Sequence, residues 1–214
     1  MRDEAIYTET RHGLTIKIYP EEYPLDPREN DNLGTMVCFH RRHKLGDKHT
    51  MSVEEVKEFT QRKDVVWLPL YLYDHSGITM STSNKSYPFT CPWDAMQVGI
   101  IYITKAEIKK EFGTADQKSI EKTLNNFRAQ VKEYDDYLTG NVYGYVIEDK
   151  EGEHLESCYG YSGYYNNKDF SALTEARHMV DSITENGKTD EKGQVLADFP
   201  NLKKQVLQSI ADQD

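Results

Sequence analysis

Val65-Val66-Trp67-Leu68-Pro69-Leu70-Tyr71-Leu72-Tyr73 and Val98-Gly99-Ile100-Ile101-Tyr102-Ile103 are the two stretches that decide the fold. Both are rich in β-branched and aromatic residues and both read as strands of a sheet core. Pro69 lacks an amide donor, so the first strand is expected at an edge or beside a bulge. Each stretch adjoins a polar loop: Asp74-His75-Ser76-Gly77 follows the first, and Thr90-Cys91-Pro92-Trp93-Asp94 precedes the second. If the two strands are neighbours, their loops meet on one rim, where a rigid sheet presents reactive side chains.

Working outward, Leu14-Thr15-Ile16-Lys17-Ile18-Tyr19 alternates with period two and reads as a half-buried strand. Thr35 to His40 is a second strand, and Ile78 to Met80 a short third. Ser52-Val53-Glu54-Glu55 and Thr104-Lys105-Ala106-Glu107 have capping-box spacing and open two short helices. From Asp116 to Leu138, Ile120, Leu124, Phe127, Val131, Tyr134 and Leu138 fall on one stripe of a long helix. Val142–Ile147 and Leu155–Tyr161 read as a hairpin, followed by helices over 171–185 and 201–210. This order lacks the regular alternation of a parallel α/β sheet, so the expected class is α+β with a mostly antiparallel sheet and flanking helices. Residues 1–185 are expected as one domain, and 186–214 as a polar linker and C-terminal helix.

The chain has 214 residues, enough to bury a sizeable core. Its mean hydropathy of -0.76 and the absence of a long apolar run argue against a membrane span. Met1-Arg2-Asp3-Glu4 lacks the apolar stretch expected of a secretory signal, and the three cysteines, Cys38, Cys91 and Cys158, are widely spaced. Both features point to a reducing, cytoplasmic setting. A net charge of -10 disfavours non-specific binding to nucleic acid; it reads either as plain solubility or as an acidic face that docks on a basic protein partner. Fifteen tyrosines, several of them in Cys158-Tyr159-Gly160-Tyr161-Ser162-Gly163-Tyr164-Tyr165, suggest an aromatic contact surface.

Three constellations carry possible chemistry. Asp74, His75, Ser76, Cys91 and Asp94 contain the residue types of a thiol or imidazole catalyst. The plainer reading is a tight turn, with Asp74 bonding the backbone and Gly77 at positive φ. Cys38, His40, His43, Asp47 and His49 hold donors suited to zinc. Their spacing matches no named motif, so no metal or other cofactor is expected, and His40, His43 and His49 remain weak candidates. Trp93 with Tyr159, Tyr161, Tyr164 and Tyr165 could line an aromatic binding slot. Glycine-rich phosphate loops and hydrolase signatures are missing.

The segments Met36-Val37-Cys38-Phe39-His40-Arg41-Arg42, Leu45-Gly46-Asp47-Lys48-His49, Leu68 through Gly77, and Cys91-Pro92-Trp93-Asp94 through Gly99 resemble a family of small proteins. Phages and mobile elements of Gram-positive and gut bacteria carry that family, and the resemblance spans residues 34 to 165. It brings no activity or catalytic residues, but implies an accessory gene that counters a host system. The leading expectation is therefore a non-enzymatic inhibitor of host defence, of anti-CRISPR or anti-restriction type, that binds a host nuclease in the bacterial cytosol. The alternatives are a small hydrolase or nuclease using His75 with Cys91 or Asp94, and a module that sequesters a nucleotide signal.

Overall fold

The computed structural model describes residues 4–83 and 95–185. The expected linker and final helix, and the loop at 90–94, lie outside them. The elements are β1 (Tyr7–Arg11), β2 (Leu14–Pro20), β3 (Thr35–Cys38), α1 (Val53–Thr60), β4 (Val65–Asp74), β5 (Ile78–Thr82), β6 (Ala95–Thr104), α2 (Lys105–Phe112), α3 (Gln117–Thr139), β7 (Val142–Glu148), β8 (His154–Ser162) and α4 (Ala172–Glu185), with a 3-10 turn at Pro27–Glu29. Among the described residues no helix is long and apolar enough to cross a membrane.

The class is α+β, and every strand pairing is antiparallel. The chain divides into two compact units: unit 1 from 1–23 with 141–214, and unit 2 from 24–140.

Unit 1 is a sheet of order β1-β2-β7-β8 with α4 across one face. Strand β1, Tyr7-Thr8-Glu9-Thr10-Arg11, carries almost no apolar alternation, and its polar sequence conceals it. It is held by a two-residue turn, His12-Gly13, with φ of 51° and 80°, the left-handed pair that tight hairpins require. Leu14, Ile16 and Ile18 of β2 and Tyr145 and Ile147 of β7 meet Leu173, Ala176 and Val180 of α4. Each fully buried aliphatic side chain contributes about 1.5–3 kcal/mol. Two charge pairs tie α4 to β1: Arg11 donates to both Asp181 oxygens at 2.6 and 2.8 Å, and Arg177 grips Glu9.

Unit 2 is a sheet of order β3-β6-β4-β5. One face packs on α3, whose Phe127, Val131 and Tyr134 meet Met36, Leu68, Leu70 and Ile101. The ring of Phe127 lies over Gly34, where a Cβ would sit 2.4 Å from it. On the opposite face, Val56 of α1 covers Val37 and Ile100. Both expected capping boxes are formed, at Ser52/Glu55 and Thr104/Glu107. Strand β4 is interior rather than an edge, and a bulge follows Pro69 at Leu70/Tyr71. Thr82 Oγ1 donates to the Pro69 carbonyl at 2.7 Å, so the side of Pro69 without an N–H faces the end of β5, where no ladder bond is lost.

A buried ion pair locks the start of unit 2 to the sheet. Arg28, 4% exposed, donates to both oxygens of Asp47 at 2.9 and 2.7 Å, to Gln130 Oε1 at 3.0 Å and to the Gly34 carbonyl at 2.6 Å. Replacing Arg28 by Ala leaves the part-buried Asp47 charge without its main partner and is expected to cost about 1.5–3 kcal/mol. Chemical denaturation should show a lower midpoint with an unchanged slope.

Unit 1 is expected to be acid-sensitive. The Arg177 guanidinium holds the Glu9 carboxyl below the usual range, and Arg11 does the same to Asp181. A depressed carboxylate adds stability above its unfolded value and loses it as pH falls through the folded one. Melting temperature should therefore drop on acidification below about pH 4, and the Glu9→Gln, Asp181→Asn double variant should flatten that slope.

Candidate functional site

Strands β3 and β4 both run antiparallel to β6 and flank it, so they are parallel to each other and their C-terminal ends leave the sheet at one rim. From β3 the chain enters the 39–47 loop; from β4 it enters the 75–77 turn. This topology makes His40, His43 and Asp74 neighbours although they are far apart in sequence.

The loop is tied at its base. Gly46, at φ 69°, bridges back to Val37 and donates its N–H to Tyr134 Oη at 3.0 Å. A side chain there would put Cβ 2.7 Å from the Met36 carbonyl. Asp47 N–H donates to that carbonyl, and Asp47 Oδ2 accepts from Met36 N–H, both at 2.8 Å. Burial pushes the Tyr134 hydroxyl up to about 12, so it stays protonated. Inside the loop, His40 Nδ1 accepts from the amides of His43 and Arg42 at 3.2 and 3.4 Å. A ring nitrogen that accepts has no proton, so His40 carries its hydrogen on Nε2, facing Asp74.

At the centre stands Asp74, whose side chain is 16% exposed. Its Oδ2 lies 3.5 Å from His40 Nε2 and 3.9 Å from His43 Nε2, and the Arg42 guanidinium hydrogen-bonds to it. The imidazoles of His40 and His43 stack at 5.1 Å between centroids and 14° between planes. The His40 side chain is 6% exposed, that of His43 39% and that of Arg42 70%, so His43 and Arg42 are the members that solvent and ligands reach. One carboxylate thus sits among three basic groups, an arrangement able to orient an imidazole, hold an anion beside Arg42, or give up Arg42 for another cation.

The Asp74-His75-Ser76-Gly77 segment is the turn of the β4–β5 hairpin, closed by His75 N–H donating to the Gly77 carbonyl at 3.0 Å. Two details differ from expectation. Ser76, not Gly77, takes the positive φ, at 57°. Asp74 is drawn to Arg42 and the histidines, since a guanidinium is a stronger donor than a turn amide. The His75 ring lies against Tyr73, 6.2 Å between centroids, and is exposed. Its expected partners Cys91 and Asp94 lie outside the described residues, as does Trp93. Strand β6 begins at Ala95, opposite Tyr73.

His40 and His43 come together, and His49 does not join them. His49 Nε2 contacts the Cys38 carbonyl at 3.1 Å and its ring packs edge-on against Phe39, leaving Nδ1 buried without a hydrogen-bond partner. Cys38 is buried, burial pushes its thiol up to about 12, and it does not join the donors that gather around Asp74.

The tyrosines of unit 1 divide in two. Tyr165 packs against Tyr7 and Tyr143, and Tyr161 against Tyr145 and Phe170, on the face that α4 covers. Tyr159 and Tyr164 are exposed. Gly160, at φ 90°, occupies an irregularity where β8 gains a residue over β7, and this turns Tyr159 outward over Gly144. A Cβ on Gly144 would lie 2.1 Å from the Tyr159 ring.

Comparison of the chain with family models, curated proteins and solved structures finds no match.

The burial contrast between cysteines is directly measurable. With Cys91 replaced by Ser, the folded protein is expected to react with a thiol reagent at exposed Cys158 and to protect Cys38. Two equally fast thiols would contradict the placement of Cys38.

Proposed function

We propose that the protein acts by binding rather than catalysis, docking unit 1 on a basic cleft of a host nucleic-acid-processing enzyme and so inhibiting it. The observation that carries this reading is the division of charge. Unit 1 holds 19 Asp and Glu against 10 Lys and Arg, whereas unit 2 holds 17 against 16, so nearly all of the net -10 belongs to unit 1. Acidic surfaces steer association with basic clefts and fix orientation, and tyrosine supplies contact area with a polar tip. Strand β8 adds that second ingredient, because it is an outer strand of its sheet with Tyr159 exposed, and Tyr164 and Phe170 are exposed soon after it. The identification of the partner as a defence nuclease rests on the resemblance to mobile-element proteins.

A catalytic reading keeps one observation in its favour: His43 and Asp74 converge on one rim. It moves the candidate chemistry from the His75/Cys91/Asp94 set to the 39–47 loop.

Titration against purified CRISPR effector and restriction nucleases separates the two. Docking predicts inhibition that saturates at a fixed molar ratio and weakens as salt rises. The Glu151→Lys, Glu153→Lys, Tyr159→Ala variant should lose about tenfold or more in affinity, and His43→Ala should inhibit as the parent does. Inhibition at substoichiometric amounts, abolished by His43→Ala, would establish catalysis instead.

A further inference from the structure

The geometry points to a divalent transition-metal site in unit 2, and we infer that His40, His43 and Asp74 ligate Zn2+ or an ion of similar preference. Two imidazoles and a carboxylate are a donor set suited to such ions. This site is independent of the docking reading, which concerns unit 1.

The three donor atoms lie within 4.8 Å of one another, and both Nε2 atoms face the same Asp74 oxygen at 3.5 and 3.9 Å. Ligands about 2.0–2.2 Å from a tetrahedral ion stand roughly 3.3 Å apart, so closure needs adjustments of at most roughly 1.5 Å. The donors are also braced before any ion arrives. Gly46 and Asp47 fix the base of the histidine loop, and the β4–β5 hairpin fixes Asp74. With those bases fixed, only the 41–43 turn has to shift when an ion binds.

Arg42 is the group that the ion displaces. A largely buried carboxylate requires a positive neighbour, and Arg42 supplies it from the same loop that carries both histidines. Ligation through His40 Nε2 moves the ring proton to Nδ1, which then no longer accepts from the amides of Arg42 and His43. Those amides belong to the turn that bears the Arg42 side chain, so a single loop movement releases the imidazole and the carboxylate together. Two long hydrogen bonds and one exposed guanidinium contact are exchanged for three metal–ligand bonds. Three protein donors leave a fourth position for water, the pattern of zinc sites that do chemistry rather than closed structural ones. His49 is held away from the set by its contact with the Cys38 carbonyl, and neither His49 nor Cys38 is among the donors that lie within 4.8 Å of one another.

The test uses the full chain without an affinity tag, stripped of metal by a chelator. Calorimetric titration with Zn2+ should show one saturable site, and Co2+ should give the strong visible absorption of a four-coordinate ion. His43→Ala and Asp74→Asn, each confirmed as folded by circular dichroism, should weaken binding by roughly a hundredfold or more. Arg42→Ala should tighten it, by about tenfold, because the competing cation is gone. A Cys91→Ser, Cys158→Ser variant should bind as the parent does. No saturable binding to the parent chain, or parent-like binding by the folded His43→Ala and Asp74→Asn variants, overturns the site. Weaker binding by Arg42→Ala overturns the exchange.

Discussion

The buried guanidinium of Arg28 is the constraint on which the arrangement of unit 2 depends. A charge 4% exposed is tolerable only when each donor finds an acceptor, and here Asp47, Gln130 and the Gly34 carbonyl answer it. Asp47 in turn takes the Met36 amide, and the neighbouring Gly46 amide goes to the Tyr134 hydroxyl. Helix α3, the return of the 39–47 loop and the edge strand β3 are thereby joined through polar bonds above the apolar core. Such a network specifies geometry more than it adds net stability, because the charges give up water to form it. What it specifies is the position of the loop carrying His40 and His43.

That positional control gives the rim its character. The two histidines and Asp74 come from segments that share no local sequence signal, and a parallel pair of strands flanking β6 brings them together. His40 serves the loop through Nδ1 and Asp74 through Nε2, whereas His43 and Arg42 reach outward. The cluster thus combines a fixed inner half with an accessible outer half. Sites that must hold one geometry and still admit a ligand are built this way.

Much of the fold was legible because its signals are local. Capping boxes at Ser52 and Thr104, the apolar stripe of α3, the β7–β8 hairpin and the strand character of 65–73 and 98–103 each follow from spacing or side-chain type within a few residues. Strand β1 was hidden because its inward residues, Tyr7, Glu9 and Arg11, meet α4 largely through charge pairs rather than apolar contact. Pro69 was read as a mark of an edge or a bulge; its strand proved interior, a bulge follows at Leu70/Tyr71, and only the end of β5 faces the missing donor. The site was half legible. His40 and His43 stood out in one group and Asp74 in another, and nothing in the spacing says which histidine turns inward. The fate of His49 is set by the Cys38 carbonyl and the Phe39 ring, which are tertiary facts.

Unit 1 is discontinuous: β2 pairs with β7 across the whole of the 24–140 segment, Tyr19 lying opposite Gly144. During synthesis the hairpin of β1 and β2 emerges before β7 and α4, so its apolar face at first lacks both. At roughly 5–20 residues per second, the ribosome needs on the order of ten seconds to supply them. Unit 2, uninterrupted in sequence, is free to fold in that interval. The discontinuity of unit 1 thus makes its completion wait for the last of its segments, while the charged residues Glu9 and Arg11 of the outer strand β1 are of the kind that discourages edge pairing.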